Sequence, residues 1–579
     1  MLIDAREVPP GSTIKSDLCV IGGGAAGITI AQELCGTGIE VALVESGGLD
    51  FSWETQALCE GANIGLPYFD LSVCQVRYFG GNTNAWGGWC RPLDPIDFEV
   101  RPWVGHSGWP FPRSELLPYY RRAHAICEVG SDTYEPGAAV REIGHRRARI
   151  LPFDPAKLET SIYRFSTPTR FGQVYREKLR QAGNVRCFLN ANVLGLEASH
   201  DARTVLRVKA GCLGGARFAF AAKFYVLAAG GIENARLLLL SNEVASQGIG
   251  NEHGLVGRFF MEHPHMQRAI VASGRTMRSA LYGLTFRGSG LVARLSLPEA
   301  VQEKEGLLNY SANIHACYPG HDTEGWRAFR KLVLSLDTHR SSDPFIRFPP
   351  YGRRGVTRRE ALDILRQFDR VTIAALFQYF QPGHFMRGFV VESKPEQAPN
   401  PESRVTLDHA RDAFGSNRAT LEWRTLAIDR RTVVRAEEIL DGELRRLGIG
   451  RLAPLASGEE VGWPANLEGG WHQMGTTRAA SDPKRGVVDA QLKVHGIENL
   501  FVAGSSAFPT GGAAPPTLTI VALALRLAEQ LQRALAASRV AGAVLARPAS
   551  DTDTIAARPA PAPAPMPGPA SAFARGTQV

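Results

Sequence analysis

Apolar runs and a glycine-rich stretch alternate over the first fifty residues in a pattern that predicts a βαβ unit. The run SDLCVIGG predicts a buried strand, AAGITIAQELCGTG a helix that ends at glycine, and IEVALVESGG a second strand. Near the C-terminus, ENLFVAGSSAFPTGG and TLTIVALALRLAEQLQRALAA predict another strand, a glycine-rich turn and a long helix. The two ends of the chain are therefore predicted to fold as related α/β units.

The pattern between these units changes three times. Residues 50–130 are rich in Gly, Trp and Pro, which predicts irregular structure with one helix at 114–128, and residues 183–226 predict short strands followed by a helix. Residues 265–464 mix strand-like runs with basic helical runs, which predicts a second domain. From residue 537 the chain becomes a tail rich in Pro and Ala, which is predicted to be disordered because it cannot bury a core.

Composition narrows the class of protein. The 579 residues are 44% apolar and 21% charged, as expected for a folded protein of two or more domains. The net charge of +8 is mild for this length and does not indicate a nucleic-acid partner. Much of that charge lies in residues 326–370, which are interpreted as a solvated lid or, alternatively, as a docking site for an anionic surface, redox partner or substrate.

Cysteine usage and apolar segments bear on the compartment. The nine Cys residues include no CxxC pair, which argues against a disulfide framework or a zinc site and favours a reducing compartment. No uninterrupted apolar run is long enough to span a membrane, and no secretory signal is visible, so we expect a cytoplasmic protein without an integral membrane segment.

A dinucleotide fingerprint lies inside the first βαβ unit. Gly22 would permit the tight turn, Gly24 the approach of backbone to a pyrophosphate, and Gly27 the close packing of helix on strand. Glu45 ends the second strand, where a carboxylate accepts hydrogen bonds from a ribose diol and repels a 2′-phosphate. The fingerprint does not separate NAD from FAD. A second glycine-rich turn near the C-terminus favours FAD, since both ends of the chain would then hold one long cofactor.

Several further motifs carry a resemblance to a known family. They are GGNTNAWGGWCRPLDPIDFE (80–99), VLAAGGIENARLLLLS (226–241), VGRFFMEHPH (256–265) and a C-terminal run that begins WHQMGTTR and ends in FVAGSSAFPTGG. With the fingerprint, these motifs resemble the glucose–methanol–choline (GMC) oxidoreductases over about residues 14–536. The nearest branch is that of bacterial sugar and alcohol dehydrogenases, including pyranose-oxidase-like members.

The resemblance implies an α/β fold, α+β overall. It consists of a Rossmann-like FAD-binding domain built from discontinuous segments, plus a sheet-and-helix substrate domain. The implied divisions are 14–264 for the first part of the FAD-binding domain (with 50–130 as a flavin-covering loop), 265–464 for the substrate domain, 465–536 for the C-terminal return, and 537–579 for the tail.

The resemblance also implies the chemistry: removal of hydride from a CH–OH group of a sugar or alcohol to flavin N5. His472 matches the active-site histidine of the family, and a group that titrates near neutral pH suits removal of the hydroxyl proton. His263 and His265 are interpreted as structural, and no metal site is expected. Besides the fingerprint residues, the implied cofactor contacts are Gly81, Asn82, Asn84, Ala85, Val193, Gly504 and Ser505.

Two residues depart from the family pattern. Pro515 stands where the family usually has Asn or His, so either His472 acts alone, or another residue substitutes, or the chemistry is not ordinary alcohol oxidation. Ala85 stands where some members tether the flavin through a His, so we expect FAD to be bound non-covalently.

Different functions remain open on the sequence alone. Pro515 motivates a flavoprotein of the same fold with lyase, isomerase or other non-alcohol chemistry. An NAD-linked Rossmann dehydrogenase and a non-catalytic FAD-binding subunit are also compatible with the chain. The partners expected are a small-molecule substrate and an electron acceptor, for which oxygen, a quinone and a redox protein are not distinguished.

Overall fold

The structure is a computed structural model of the 579-residue chain. It describes residues 1–144, 148–167, 169–272, 280–282, 290–317, 320, 323–336, 356–380, 388–453, 462–464 and 466–545. Much of the basic segment 326–370, and the tail beyond 545, therefore lie outside the described residues. By its internal contacts the chain divides into two units, Met1–Gln532 and Arg533–Val579.

The described residues form strands that we number in chain order. They are β1 (Leu2–Asp4), β2 (Thr13–Ile21), β3 (Val41–Val44), β4 (Gly61–Asn63), β5 (Trp89–Cys90), β6 (Glu159–Phe165), β7 (Val185–Leu189), β8 (Asn192–Ala198), β9 (Val205–Gly211), β10 (Arg217–Leu227), β11 (Met266–Ala272), β12 (Leu291–Ser296), β13 (Tyr310–Cys317), β14 (Gly388–Pro395), β15 (Arg404–Arg411), β16 (Asn417–Glu422), β17 (Gly450–Leu452) and β18 (Leu500–Val502).

The α-helices of the described residues are numbered in the same way. They are α1 (Ala25–Glu33), α2 (Trp53–Gln56), α3 (Leu71–Cys74), α4 (Pro95–Phe98), α5 (Leu117–Ile126), α6 (Pro136–Ile143), α7 (Phe171–Val174), α8 (Arg176–Gln181), α9 (Glu233–Leu240), α10 (Glu299–Glu305), α11 (Glu324–Leu336), α12 (Arg358–Arg366), α13 (Phe368–Phe380), α14 (Ala427–Arg446) and α15 (Thr517–Leu545). Helix α15 continues past residue 537, the predicted start of the tail, because the Ala-rich run before the first tail proline favours helix.

The first sheet carries the fingerprint. Its strand order is β1-β7-β3-β2-β10-β9-β8, and β18 also pairs with β10. The strands β1, β7, β3, β2, β10 and β18 run parallel to one another. The C-terminal ends of β2, β3 and β10 are aligned, since Ile21 pairs with both Val44 and Leu227. Residues that follow these strands therefore meet at one edge, where open α/β sheets bind their ligands.

A second, antiparallel sheet has the order β17-β11-β14-β13-β12-β6-β5. Apolar and polar side chains alternate along its central strands, so each face has its own character. One face packs on α14 through a core that includes Leu295, Ala312, Val391 and Leu440. The opposite face carries Ser161, Arg294, Ser296, Ser311, Asn313, Glu392 and Lys394.

The sheets cross the predicted domain boundaries at two places. Strands β5 and β6 of the second sheet precede residue 264, and a small third sheet joins β4 to β15 and β16. The domain limits themselves stay a prediction.

Candidate functional site

The fingerprint glycines make a turn that no side chain would fit. Gly22 has φ +111°, and a Cβ atom there would lie 2.5 Å from the carbonyl oxygen of Ala228. A Cβ atom at Gly27 would lie 1.9 Å from the carbonyl oxygen of Gly22. Gly27 therefore allows the close approach of helix α1 to the end of β2, whereas Gly22 allows the turn to pass the backbone that follows β10.

The N-terminus of α1 is open at Gly24. Gly24 is the N-cap residue, and neither a capping side chain nor an acidic residue in the first turn is present among the described residues. A Cβ atom at Gly24 would meet only Gly81 Cα, at 4.0 Å. The free N–H groups and the helix dipole at this end suit the phosphates of a dinucleotide.

Glu45 is buried beside this turn. Its two carboxylate oxygens accept hydrogen bonds from the backbone N–H groups of Gly23 and Gly47, each at 2.8 Å. The Ser46 hydroxyl also donates to Oε1 of Glu45 (3.2 Å), and a carboxylate has about four acceptor positions, so capacity remains for a ribose hydroxyl.

The loop predicted to contact the flavin is held by its two asparagines. The side chain of Asn82 accepts from the N–H of Val76 (2.8 Å) and donates to the carbonyl of Cys74 (3.2 Å). Asn84 is buried and donates to the carbonyl of Phe79 (3.0 Å). Both amides therefore fix the backbone of this loop, whichever of its atoms face a ligand.

One cavity collects most of the predicted site residues. Gly27 and Asn84 are the two predicted residues that are not among its lining residues. The predicted residues that line it are Gly22, Gly24, Glu45, Gly81, Asn82, Ala85, Val193, His472, Gly504 and Ser505. Pro515 lines the same cavity, two residues before α15 begins.

The backbone around His472 is anchored on one buried carboxylate. Glu262 is fully buried and accepts from the N–H groups of His263 (3.0 Å), Gly470 (3.0 Å) and His472 (2.9 Å), and from the Tyr68 hydroxyl. Burial raises the pKa of Glu262 to about 7 although these hydrogen bonds lower it. Thus the carboxylate fixes the backbone positions of both histidines.

The imidazoles of His263 and His472 are paired. Their Nδ1 atoms are 2.7 Å apart, and Nε2 of His263 is 2.7 Å from the carbonyl oxygen of Gly512. Burial lowers the pKa of His263 to about 4, so its ring is neutral near neutral pH and carries one N–H.

This geometry fixes both tautomers. A carbonyl oxygen only accepts, so Nε2 of His263 carries the proton and its Nδ1 is an acceptor. Nδ1 of His472 must then donate, which leaves the lone pair of His472 on Nε2. Nε2 has no hydrogen-bond partner among the residues that the structure describes. Burial holds the pKa of His472 well below its ordinary value, with smaller contributions from His263, His265, Lys394 and Arg294.

His265 lies beside the pair. Its ring centroid is 6.2 Å from that of His472, and its buried Nε2 has no hydrogen-bond partner within the described part of the chain. Sequence reasoning missed the placement of His263 and His265, which it took as structural. The VGRFFMEHPH motif marked the segment but contained no signal for a contact with a residue 209 positions away.

The described ranges hold neither a cluster of metal ligands nor a membrane-spanning helix. No group of three or more His, Cys, Asp or Glu side chains there could hold a metal ion. No helix of that part of the chain combines the length and apolar character needed to cross a membrane.

The fold combines a Rossmann-like parallel sheet, which has a glycine-lined cavity at its edge, with a second, antiparallel sheet. Residues 399–524 match the family model described as GMC oxidoreductase. The chain is similar to the GMC oxidoreductases, as the sequence motifs predict, and the predicted fold class is confirmed.

Relatives with established names span nearly the whole chain. It is 25% identical to 2-methyl-1,2-propanediol dehydrogenase of Mycolicibacterium austroafricanum, over 90% of this chain and 96% of the relative. It is 24% identical to paromamine 6′-oxidase of Streptomyces fradiae, over 89% of this chain and 90% of the relative. The solved structure of pyridoxine 4-oxidase from Mesorbium loti aligns with a TM-score of 0.53 at 16% identity, over 89% of this chain and 99% of that one. The names of these proteins agree with the predicted enzyme class, an oxidoreductase.

Proposed function

We propose that this enzyme oxidises a CH–OH group of an alcohol or sugar with His472 as the base and non-covalent FAD as the cofactor. The observation that carries the proposal is the pairing of His472 with His263, because it leaves a neutral Nε2, unpartnered within the described residues, on a residue that lines the cavity. The two relatives named above are a propanediol dehydrogenase and a paromamine 6′-oxidase by name, and the first of these names supports an alcohol as the substrate.

The chain offers a fitting set of groups for FAD. The open N-terminus of α1 at Gly24 suits the pyrophosphate, and the remaining acceptor capacity of Glu45 suits the ribose. Gly504 and Ser505 bring the C-terminal return to the same cavity. FAD, when bound, supplies the acceptor for the hydride. Ala85 has no nucleophilic atom, which supports non-covalent binding.

His472 performs the proton transfer in this proposal. Nε2 takes the proton of the substrate hydroxyl while the C–H bond gives up hydride, so that the alcohol carbon becomes a carbonyl. His263 accepts the Nδ1–H of His472 and keeps the lone pair on Nε2 during this step. The backbone N–H of His472, held by Glu262, limits movement of the ring out of the site.

The test is a comparison of flavin reduction under argon. Replacing His472 with Ala should slow reduction by an alcohol about 10²–10⁴-fold, the usual contribution of a general base, with flavin content retained. His495→Ala is the matched control, because His495 lies in the same C-terminal segment, its ring contacts the carbonyl of Ala480, and it does not line the cavity. Equal reduction rates in His472→Ala and the control would contradict the proposed base.

A further inference from the structure

Arg294 is a buried cation that forms no ion pair within the described part of the chain. It lies on β12 and is 2% exposed. Its guanidinium carbon is 4.2 Å from the ring centroid of Trp89 and 4.0 Å from that of Tyr163. It donates to the hydroxyl of Ser311 (3.3 Å), while its Nε has no hydrogen-bond partner among the described residues.

Most other buried arginines of the described residues are neutralised, whereas Arg478 also lacks a carboxylate partner there and has its guanidinium carbon 4.6 Å from the ring centroid of Phe259. Arg101 forms a bidentate pair with Glu396, Arg164 pairs with Glu142, and Arg236 pairs with Asp412. No carboxylate among the described residues lies within 4.0 Å of the Arg294 guanidinium. Burying a charge without a partner is costly, so the arrangement calls for an anion that the described chain does not provide.

Lys394 places a second cation on the same face. It is on β14, its side chain is 14% exposed, and its Nζ is 5.5 Å from the ring centroid of Trp89. Glu392 neutralises one charge, since it pairs with Lys394 at 3.1 Å and accepts from Asn313 at 2.8 Å. Glu468 also acts electrostatically on Lys394, so Lys394 has two carboxylates near it, while Arg294 has none within 4.0 Å among the described residues.

The two cations lie close to the proposed reaction site. Trp89, which both approach, lines the cavity together with His472. Arg294 and Lys394 are among the groups that lower the pKa of His472, after burial and the neighbouring histidines. An anion bound between them would offset this effect and make His472 a better proton acceptor. Asn313, next to Glu392, also has a buried side-chain oxygen without a partner in the described residues.

We propose that the substrate of this enzyme is an alcohol or sugar that also carries an anionic group, a carboxylate or a phosphate ester, which Arg294 and Lys394 bind. The proposal rests on the proposed alcohol oxidation. The planar guanidinium of an arginine can donate two parallel hydrogen bonds to two oxygens of a carboxylate or phosphate, and the Nε of Arg294 still lacks a partner among the described residues.

The experiment compares three sugars that differ in charge: glucose, glucuronate and glucose 6-phosphate. Flavin reduction under argon is measured with each sugar, and the efficiency with each charged sugar is divided by the efficiency with glucose. We expect at least one charged sugar to reduce the flavin about 10- to 100-fold more efficiently than glucose, because charge-assisted hydrogen bonds contribute this much to binding. Preference for glucuronate identifies a carboxylate, and preference for glucose 6-phosphate identifies a phosphate ester.

Three variants test the assignment to residues. Arg294→Met should reduce the charged-to-neutral ratio about 10-fold or more, whereas Arg294→Lys should retain part of it. Lys394→Met tests the same cationic pair if Arg294→Met fails to fold. Arg404→Met is the control, because Arg404 is a half-buried arginine on β15 that pairs with Glu422 and is not among the cavity residues. It should leave the ratio unchanged.

The outcomes separate this inference from the proposed function. If glucose and neutral alcohols reduce the flavin as well as the charged sugars do, or if Arg294→Met and Lys394→Met keep the ratio, the anionic site is wrong and alcohol oxidation stands. If no sugar or alcohol reduces the flavin, the proposed function fails. Titration with glucuronate and glucose 6-phosphate, followed by calorimetry, then still decides whether Arg294 binds an anion, since Arg294→Met should weaken the binding.

Discussion

His263 is predicted to set the reactivity of His472 through the hydrogen bond between their Nδ1 atoms. In His263→Phe, a ring remains but both nitrogens are lost, so Nδ1–H of His472 loses its acceptor and the Gly512 carbonyl loses its donor. In His263→Asn, the side-chain oxygen can replace Nδ1 as the acceptor, since it lies at a similar distance from the backbone. We therefore expect the rate of flavin reduction to fall in the order wild type, Asn variant, Phe variant.

The magnitude follows from the two lost hydrogen bonds. A buried polar group without a partner costs about 1–3 kcal/mol. The cost at the Gly512 carbonyl reduces stability in His263→Phe. The cost at Nδ1–H of His472 acts on the base, because the ring no longer favours the tautomer with its lone pair on Nε2. At about 1.36 kcal/mol per tenfold change, this corresponds to about a 5- to 150-fold slower reduction.

The pH dependence distinguishes positioning from a loss of stability. His472 accepts a proton only when it is neutral, so the rate falls as the pH falls through its pKa. Near neutral pH the His263 ring is uncharged and acts on His472 through the hydrogen bond that it accepts from Nδ1–H, which favours the protonated ring. Losing this acceptor in His263→Phe lowers the pKa of His472, so the acid limb of the pH–rate profile should move to lower pH.

Rapid-mixing reduction by one substrate, measured across pH and normalised to bound flavin, is the assay. His124→Phe is the matched control, because His124 is another buried histidine with two hydrogen bonds, to the Tyr120 carbonyl and the Tyr134 hydroxyl, and is not among the cavity residues. It should lower the melting temperature without moving the acid limb. A His263→Phe enzyme with full flavin, an unchanged rate and an unchanged acid limb would refute the reasoning.

Three further predictions concern the cofactor and the core. Gly24→Val should yield protein without flavin, because a branched side chain would fill the open end of α1; normal flavin absorbance in the folded variant would contradict this. Acid precipitation of the wild-type enzyme should leave the flavin in the supernatant, since Ala85 offers no tether; yellow pellets would show covalent attachment. Arg101→Met should lower the free energy of unfolding by about 3–5 kcal/mol in denaturant titration, because it leaves Glu396 buried without its cation; a loss below about 1 kcal/mol would argue against it.

Local patterns predicted the parts of the fold that depend on neighbouring residues. The strand, glycine turn and helix around Gly22 lie where the pattern placed them, as does a helix within 114–128, which is α5. The packing of Gly27 on Gly22 follows from the same spacing. Pairing between distant strands, such as β4 with β16, leaves no periodic signal in either strand and could not be predicted.

The cluster of Arg294, Trp89 and Tyr163 could not be predicted from the sequence for a related reason. Strand β12 is an apolar run interrupted by Arg294 and Ser296, and all six of its residues are buried. A buried strand with an arginine is not distinguishable from an exposed edge until its neighbours are known. Tyr163 comes from β6 and Trp89 from β5, both far earlier in the chain. Only the order of the second sheet brings these three side chains together.

Pro515 and the pairing of His263 with His472 concern two different features of the site: the cavity lining and the orientation of the proposed base. Pro515 lines the cavity and provides no polar side chain for a substrate hydroxyl. Yet the turn before it still acts on His472, since the carbonyl of Gly512 fixes His263 and His263 fixes Nδ1 of His472. The acceptor on Gly512 is a backbone group, so this orientation requires no polar side chain at position 515. Replacing Pro515 therefore alters the lining of the cavity, whereas replacing His263 alters the hydrogen bond that orients the base.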